Sequence, residues 1–211
     1  ISMQEQMKKQ FAKIDWDSLG KTPIYTIDFP NKKFKWCYSA KALCESLNDA
    51  CIGKDIKTMY VSAMNYAAPL RVEKNCVNYY LGAELIIQME DILLDLLIHA
   101  SGLFQWRVFD KSEYVLTGPT LKSIENGDEE FCEIGNVYNT FTADYTRARI
   151  KQVRVIATGN WEWMAKGFDK SKLEDPIELS ETILFYLSNH YTLALHGWHD
   201  DFAIELLPSS C

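Results

Sequence analysis

His196, His199, Asp200 and Asp201 form the densest group of metal-ligand residue types in the chain. On a helix, residues three apart would share one face, as metal sites exploit. Here the surrounding residues read as a strand running into a turn, which points such side chains apart. A metal site or general base at His196, His199 and Asp200 is therefore the minor expectation, and hydrogen-bonding histidines are the major one. Gly20-Lys21-Thr22 resembles the end of a phosphate-binding loop, but Asp15 stands where the leading glycine is required. No catalytic motif of fixed spacing occurs, so the sequence assigns no catalytic residue and no cofactor.

Cys37, Cys44, Cys51, Cys76, Cys132 and Cys211 include no CxxC or CxH pair, so they lack zinc-site spacing. They read as small buried hydrophobes in a reduced, cytoplasmic setting. The N-terminal residues lack the basic-then-apolar order of a signal peptide, and Ile1-Ser2 ahead of Met3 reads as a cloning remnant.

Two further groups suit recognition more than catalysis. Glu125, Asp128, Glu129, Glu130 and Glu133 make an acidic run leading into a strand. Glu174, Asp175, Glu178 and Glu181 make a second acidic stretch, expected as solvated loop. Trp161 and Trp163 flank Glu162, and in a strand they would share a face; core packing is the major expectation for them and an interface anchor the minor one. Asp128, Glu129, Glu130, Glu133, Trp161 and Trp163 are thus the candidate partner-binding residues.

The 211-residue chain carries a net charge of −7, with 47% hydrophobic and 24% charged residues. That balance suits an ordered globular domain and disfavours nucleic acid as a partner. Apolar runs such as Leu96-Leu97-Ile98 are too short to cross a bilayer as helices.

The elements that must position these residues are mostly strands. Met3, Met7, Phe11 and Ile14 predict a short opening helix. Ile24–Phe29 and Lys33–Cys37 flank a Pro30-Asn31-Lys32 turn, and a helix follows over 40–52 with Ser39 as N-cap and Gly53 as its stop. Residues 56–63 read as a strand and the segment from there to Val77 as loop, with Pro69 inside it. Residues 84–100 fit both an amphipathic helix and two strands.

Self-comparison favours strands there. Ile56–Ala63 matches Ile150–Ala157 at four of eight positions. Glu84, Ile86, Leu96 and His99 align with Glu181, Ile183, Leu193 and His196, and Trp36-Cys37 with Phe131-Cys132. These matches predict a duplicated unit, with halves at 22–109 and 113–206 inside a single domain spanning 1–211. Each half would hold a leading strand and a three-stranded meander: 85–90, 93–99 and 103–109, then 182–187, 191–196 and 202–206. The expected fold is α+β, mostly antiparallel β, with a few short helices.

In its meanders and acidic loops the chain, over most of 20–206, resembles bacterial immunity proteins. The resemblance implies a protein that occludes a toxin with a preformed acidic, aromatic surface, the partner being a basic toxin domain. A metal-dependent enzyme using His196 to Asp201 and a structural or assembly protein are the alternatives.

Overall fold

A computed structural model describes residues 23–29, 32–62, 71–73, 76–78, 84–99, 103–110, 131–133, 148–160, 171, 174–175, 178–198 and 201–208. The helix expected near the N-terminus lies outside them. Thirteen strands and one helix are described. They are β1 (Ile24–Phe29), β2 (Lys32–Cys37), α1 (Ala40–Cys51), β3 (Ile56–Ser62), β4 (Arg71–Glu73), β5 (Cys76–Asn78) and β6 (Glu84–Met89). There follow β7 (Ile92–His99), β8 (Leu103–Asp110), β9 (Phe131–Glu133), β10 (Ile150–Asn160), β11 (Glu178–Leu187), β12 (Tyr191–Trp198) and β13 (Asp201–Pro208).

The strands form a seven-stranded sheet, β1-β2-β8-β7-β6-β3-β9, and a six-stranded sheet, β10-β11-β12-β13-β5-β4. Every pairing is antiparallel. Residues 84–99 are two strands turning at Glu90-Asp91, as the self-comparison predicted. The ambiguity there has a physical cause. Leu85, Ile87, Met89, Leu94 and Leu96 enter the main core, yet Ile86 and Leu93, which point to the opposite face, are also fully buried. A sheet covered on both faces gives a continuous apolar run instead of alternation, and such a run fits either period.

One buried cluster joins both sheets and the helix. Leu43, Leu47 and Cys51 of α1 meet Ile150, Val153, Ile183 and Phe185 of one sheet and Trp106 and the β6–β7 leucines of the other. The helix begins as its sequence dictates: the Ser39 hydroxyl accepts from the Ala42 amide at 3.1 Å. It ends at Cys51, and Gly53 follows with φ at +80°, a conformation that favours glycine.

β4 and β5 correct the reading of the segment up to Val77 as loop. These three-residue strands form a hairpin too short to carry a period, and the hairpin docks on β13 through Val77 opposite Ile204. β11 begins at Glu178, so Glu178 and Glu181 belong to a strand and not to a solvated loop.

The two sheets share a strand order. In one, the hairpin β1–β2 flanks β8, followed by β7, β6 and β3; in the other, β4–β5 flanks β13, followed by β12, β11 and β10. Each ladder also skips one residue at the same place, between Ile56 and Thr58 and between Ile150 and Gln152. The extra residues, Lys57 and Lys151, are both exposed, which accounts for the shared Ile-Lys at the head of each strand.

Register corrects the finer alignments. Ile86 lies opposite Tyr60, and the corresponding ladder position after the Ile150 skip is Leu184, not Ile183. A one-residue slip exchanges the faces of a strand, and Ile183 is a core residue whereas Ile86 faces away from that core. By the same ladders His196 corresponds to Leu97, since His196 faces Thr182 and Leu97 faces Glu84. The ladders therefore give the His99–His196 match no support. Phe131-Cys132 pairs with β3, while Trp36 pairs with β8, so that match fails as well.

Candidate functional site

Glu133 is the one predicted partner-binding residue within the described part of the chain. It ends β9, opposite Tyr60, at the outer edge of the seven-stranded sheet. Asp128, Glu129 and Glu130 lead directly into that strand and lie outside the described residues, as do Trp161 and Trp163 beyond the end of β10. The structure thus fixes where the acidic run enters the fold. It enters at a sheet edge, where one side of the strand pairs with β3.

His196 sits within β12, with Nδ1 at 3.0 Å from the Thr182 hydroxyl of the neighbouring strand. The pair is a cross-strand contact of the kind that stabilises sheets. His199 and Asp200 lie outside the described residues, and Asp201 opens β13 opposite Trp198. Among the described residues, no three His, Cys, Asp or Glu side chains gather as a metal site would require.

The second acidic stretch works as a strap. The Ser39 hydroxyl donates to Asp175 Oδ2 at 2.8 Å while accepting from Ala42, so one buried hydroxyl joins the strap to the helix start. The Glu178 amide donates to the Tyr38 carbonyl at 2.8 Å. Burial pushes the Tyr38 phenol above its ordinary value, against backbone hydrogen bonding from Asp175.

Three polar constellations escaped the sequence reading. The first is Asn48. Its Nδ2 donates to the Val153 carbonyl at 2.7 Å and its Oδ1 accepts from the Val153 amide at 2.8 Å. The side-chain amide therefore pairs with β10 as a peptide unit of a neighbouring strand would. Because β10 is the edge of its sheet, this contact satisfies an edge that could otherwise recruit another strand. Nothing in an Asn four residues after Cys44 signals that role.

The second is Asp95 with Arg107. Asp95 is fully buried, and Arg107 Nε donates to its Oδ2 at 2.6 Å across the β7–β8 ladder. Both lie on the face of the sheet away from the main core. Their opposite charges, placed in a strand pair, were the available signal, but pairing them required the register.

The third lies where the sheets touch. Asp55 and Arg149, 94 positions apart, form an isolated antiparallel bridge, and Arg149 Nε donates to Asp55 Oδ1 at 3.2 Å. Next to it, Lys54 donates to Asp91 and holds that carboxyl below the usual range.

The thiols match the expectation of buried hydrophobes where they are described. Cys37 and Cys51 are free and buried, and burial pushes each thiol up to about 12. Cys44 is half-buried beside the Val153 carbonyl at 3.3 Å. Cys37 and Cys51, held neutral by burial, are poor nucleophiles and poor metal ligands.

No helix among the described residues is long and apolar enough to cross a membrane. No known family model, no curated protein and no solved structure matches this chain.

Proposed function

We propose that this chain is a binding protein that inhibits a basic protein partner by covering it, in the manner of bacterial immunity proteins. We propose further that its frame arose by duplication of a strand-rich unit. One observation supports the binding reading: Glu133, the last residue of the acidic run, ends β9, the outermost described strand of the seven-stranded sheet. Backbone paired with β3 at Phe131–Glu133 is ordered before a partner arrives, which lowers the ordering cost of binding at that end of the run. The net charge of −7 adds long-range attraction for a basic surface. The duplication reading is supported by the common strand order and by the ladder skip at Lys57 and Lys151.

Co-purification with the product of an adjacent gene, or protection of cells against it, tests the binding role. Absence of both would remove it. Reversing Asp128, Glu129 and Glu130 to lysine should slow association by about tenfold or more and flatten its salt dependence. Association kinetics that do not change would place the contact elsewhere.

A further inference from the structure

We propose that the Asp55–Arg149 bridge marks a two-fold axis between the two meanders, so that the surface joining them fits a second copy of the same half. This rests on the duplication reading and is independent of the binding role.

Any antiparallel bridge has a local two-fold at its centre. What distinguishes this one is the residues it pairs. Asp55 and Arg149 precede Ile56 and Ile150, the residues that open the two corresponding ladders just before their skips. The Ile56 amide donates to the Ala148 carbonyl at 3.1 Å, and the Ile150 amide donates to the Lys54 carbonyl at 2.9 Å. Exchanging the two halves converts each of these bonds into the other. β3 and β10 both start directly after the bridge, and each ladder skips one residue at its second position, Lys57 or Lys151. Ile56 and Ile150 are both fully buried in the shared core.

The side chains at the axis fit the same history. In a dimer of identical halves, a residue beside the two-fold meets its own copy, and like charges there repel. Once the halves are joined in one chain, the two positions can diverge. Asp and Arg at corresponding positions form the ion pair that identical residues could not. The two sides also differ: Arg149 exchanges hydrogen bonds with Ser188 at 2.9 Å, and Asn48 covers the edge of β10 whereas β9 covers the edge of β3.

The test is a reciprocal exchange in the full chain, placing residues 148–156 at 54–62 and 54–62 at 148–156. Composition is unchanged and the Asp–Arg pair is kept with its members traded. A control makes the same exchange displaced by one residue, which turns each strand's core face outward. The two-fold predicts a single cooperative urea transition for the in-register exchange, with an unchanged slope and a midpoint well above that of the control. A midpoint no higher than the control's would overturn it. In the unaltered protein, hydrogen exchange of the Ile56 and Ile150 amides should be protected to within roughly tenfold of each other. Protection of one with rapid exchange of the other would overturn the two-fold while leaving duplication standing. Failure of the two meanders to superpose in a crystal of the unaltered protein would instead remove the duplication.

Discussion

At the scale of residues, Asp95 and Arg107 form a buried ion pair across the β7–β8 ladder. Asp95 and Arg107 were each affordable in the fold because the other lies opposite it. Removing Asp95 takes away the carboxylate that Arg107 Nε donates to in a site where Asp95 is fully buried, so Asp95→Ala should destabilise by about 3–5 kcal/mol. The double change Asp95→Leu with Arg107→Met removes both charges and should recover most of that loss. Urea denaturation of the two single variants and the double variant checks both expectations, and an additive double variant would sink the account. The buried thiols predict a pH response. Folded Cys37 and Cys51 stay protonated up to about 12, while in the unfolded chain they ionise near 9.0. Above that lower value the folded state binds more protons than the unfolded one, so stability falls as pH rises. Each thiol contributes about 1.4 kcal/mol per pH unit across the window. Replacing both with alanine should flatten the decline measured by denaturation between those two pH values.

At the scale of elements, α1 contributes more than an apolar face. Its Asn48 completes the edge of β10 with two hydrogen bonds to Val153 and makes a third to the Cys44 carbonyl at 2.8 Å. Asn48→Ala should cost roughly 2–3 kcal/mol, given about 1 kcal/mol for each bond lost and polar backbone left facing a methyl group. Asn48→Asp keeps the acceptor but turns an anionic oxygen toward the Val153 carbonyl, and should be no better than alanine. A midpoint shift in urea distinguishes these outcomes, and an aspartate variant as stable as the parent would refute the clamp. The glycine after the helix has a different role. An added Cβ at Gly53 would meet nothing within 4 Å, so Gly53→Ala should cost about 1 kcal/mol, from its positive φ alone. Gly53→Asn should cost less, because asparagine tolerates that conformation.

At the scale of the whole molecule, each sheet borrows from the other half of the chain. β4 and β5 precede β6 in sequence yet pair with β13, and β9 follows β8 yet pairs with β3. Pairings of such long sequence separation make folding slow relative to a helical protein of this size. They also mean that neither 22–109 nor 113–206 holds all the strands of one sheet.

The sequence by itself determined the helix with its Ser39 cap and Gly53 stop, because capping is a contact among near neighbours. It determined the antiparallel character too, through short strands separated by turn residues and through the repeated Ile-Lys strand heads. It located the acidic run, though not where that run attaches. Tertiary structure decided the rest, and register is the reason. A strand repeats every two residues, so alignments one residue apart look equally good by composition and bury opposite faces. That is how His196 was matched to His99 when the ladders place it with Leu97. Register also brought Asp95 to Arg107, Asn48 to Val153, and Asp55 to Arg149, contacts whose partners lie too far apart in the chain for any local pattern to announce them.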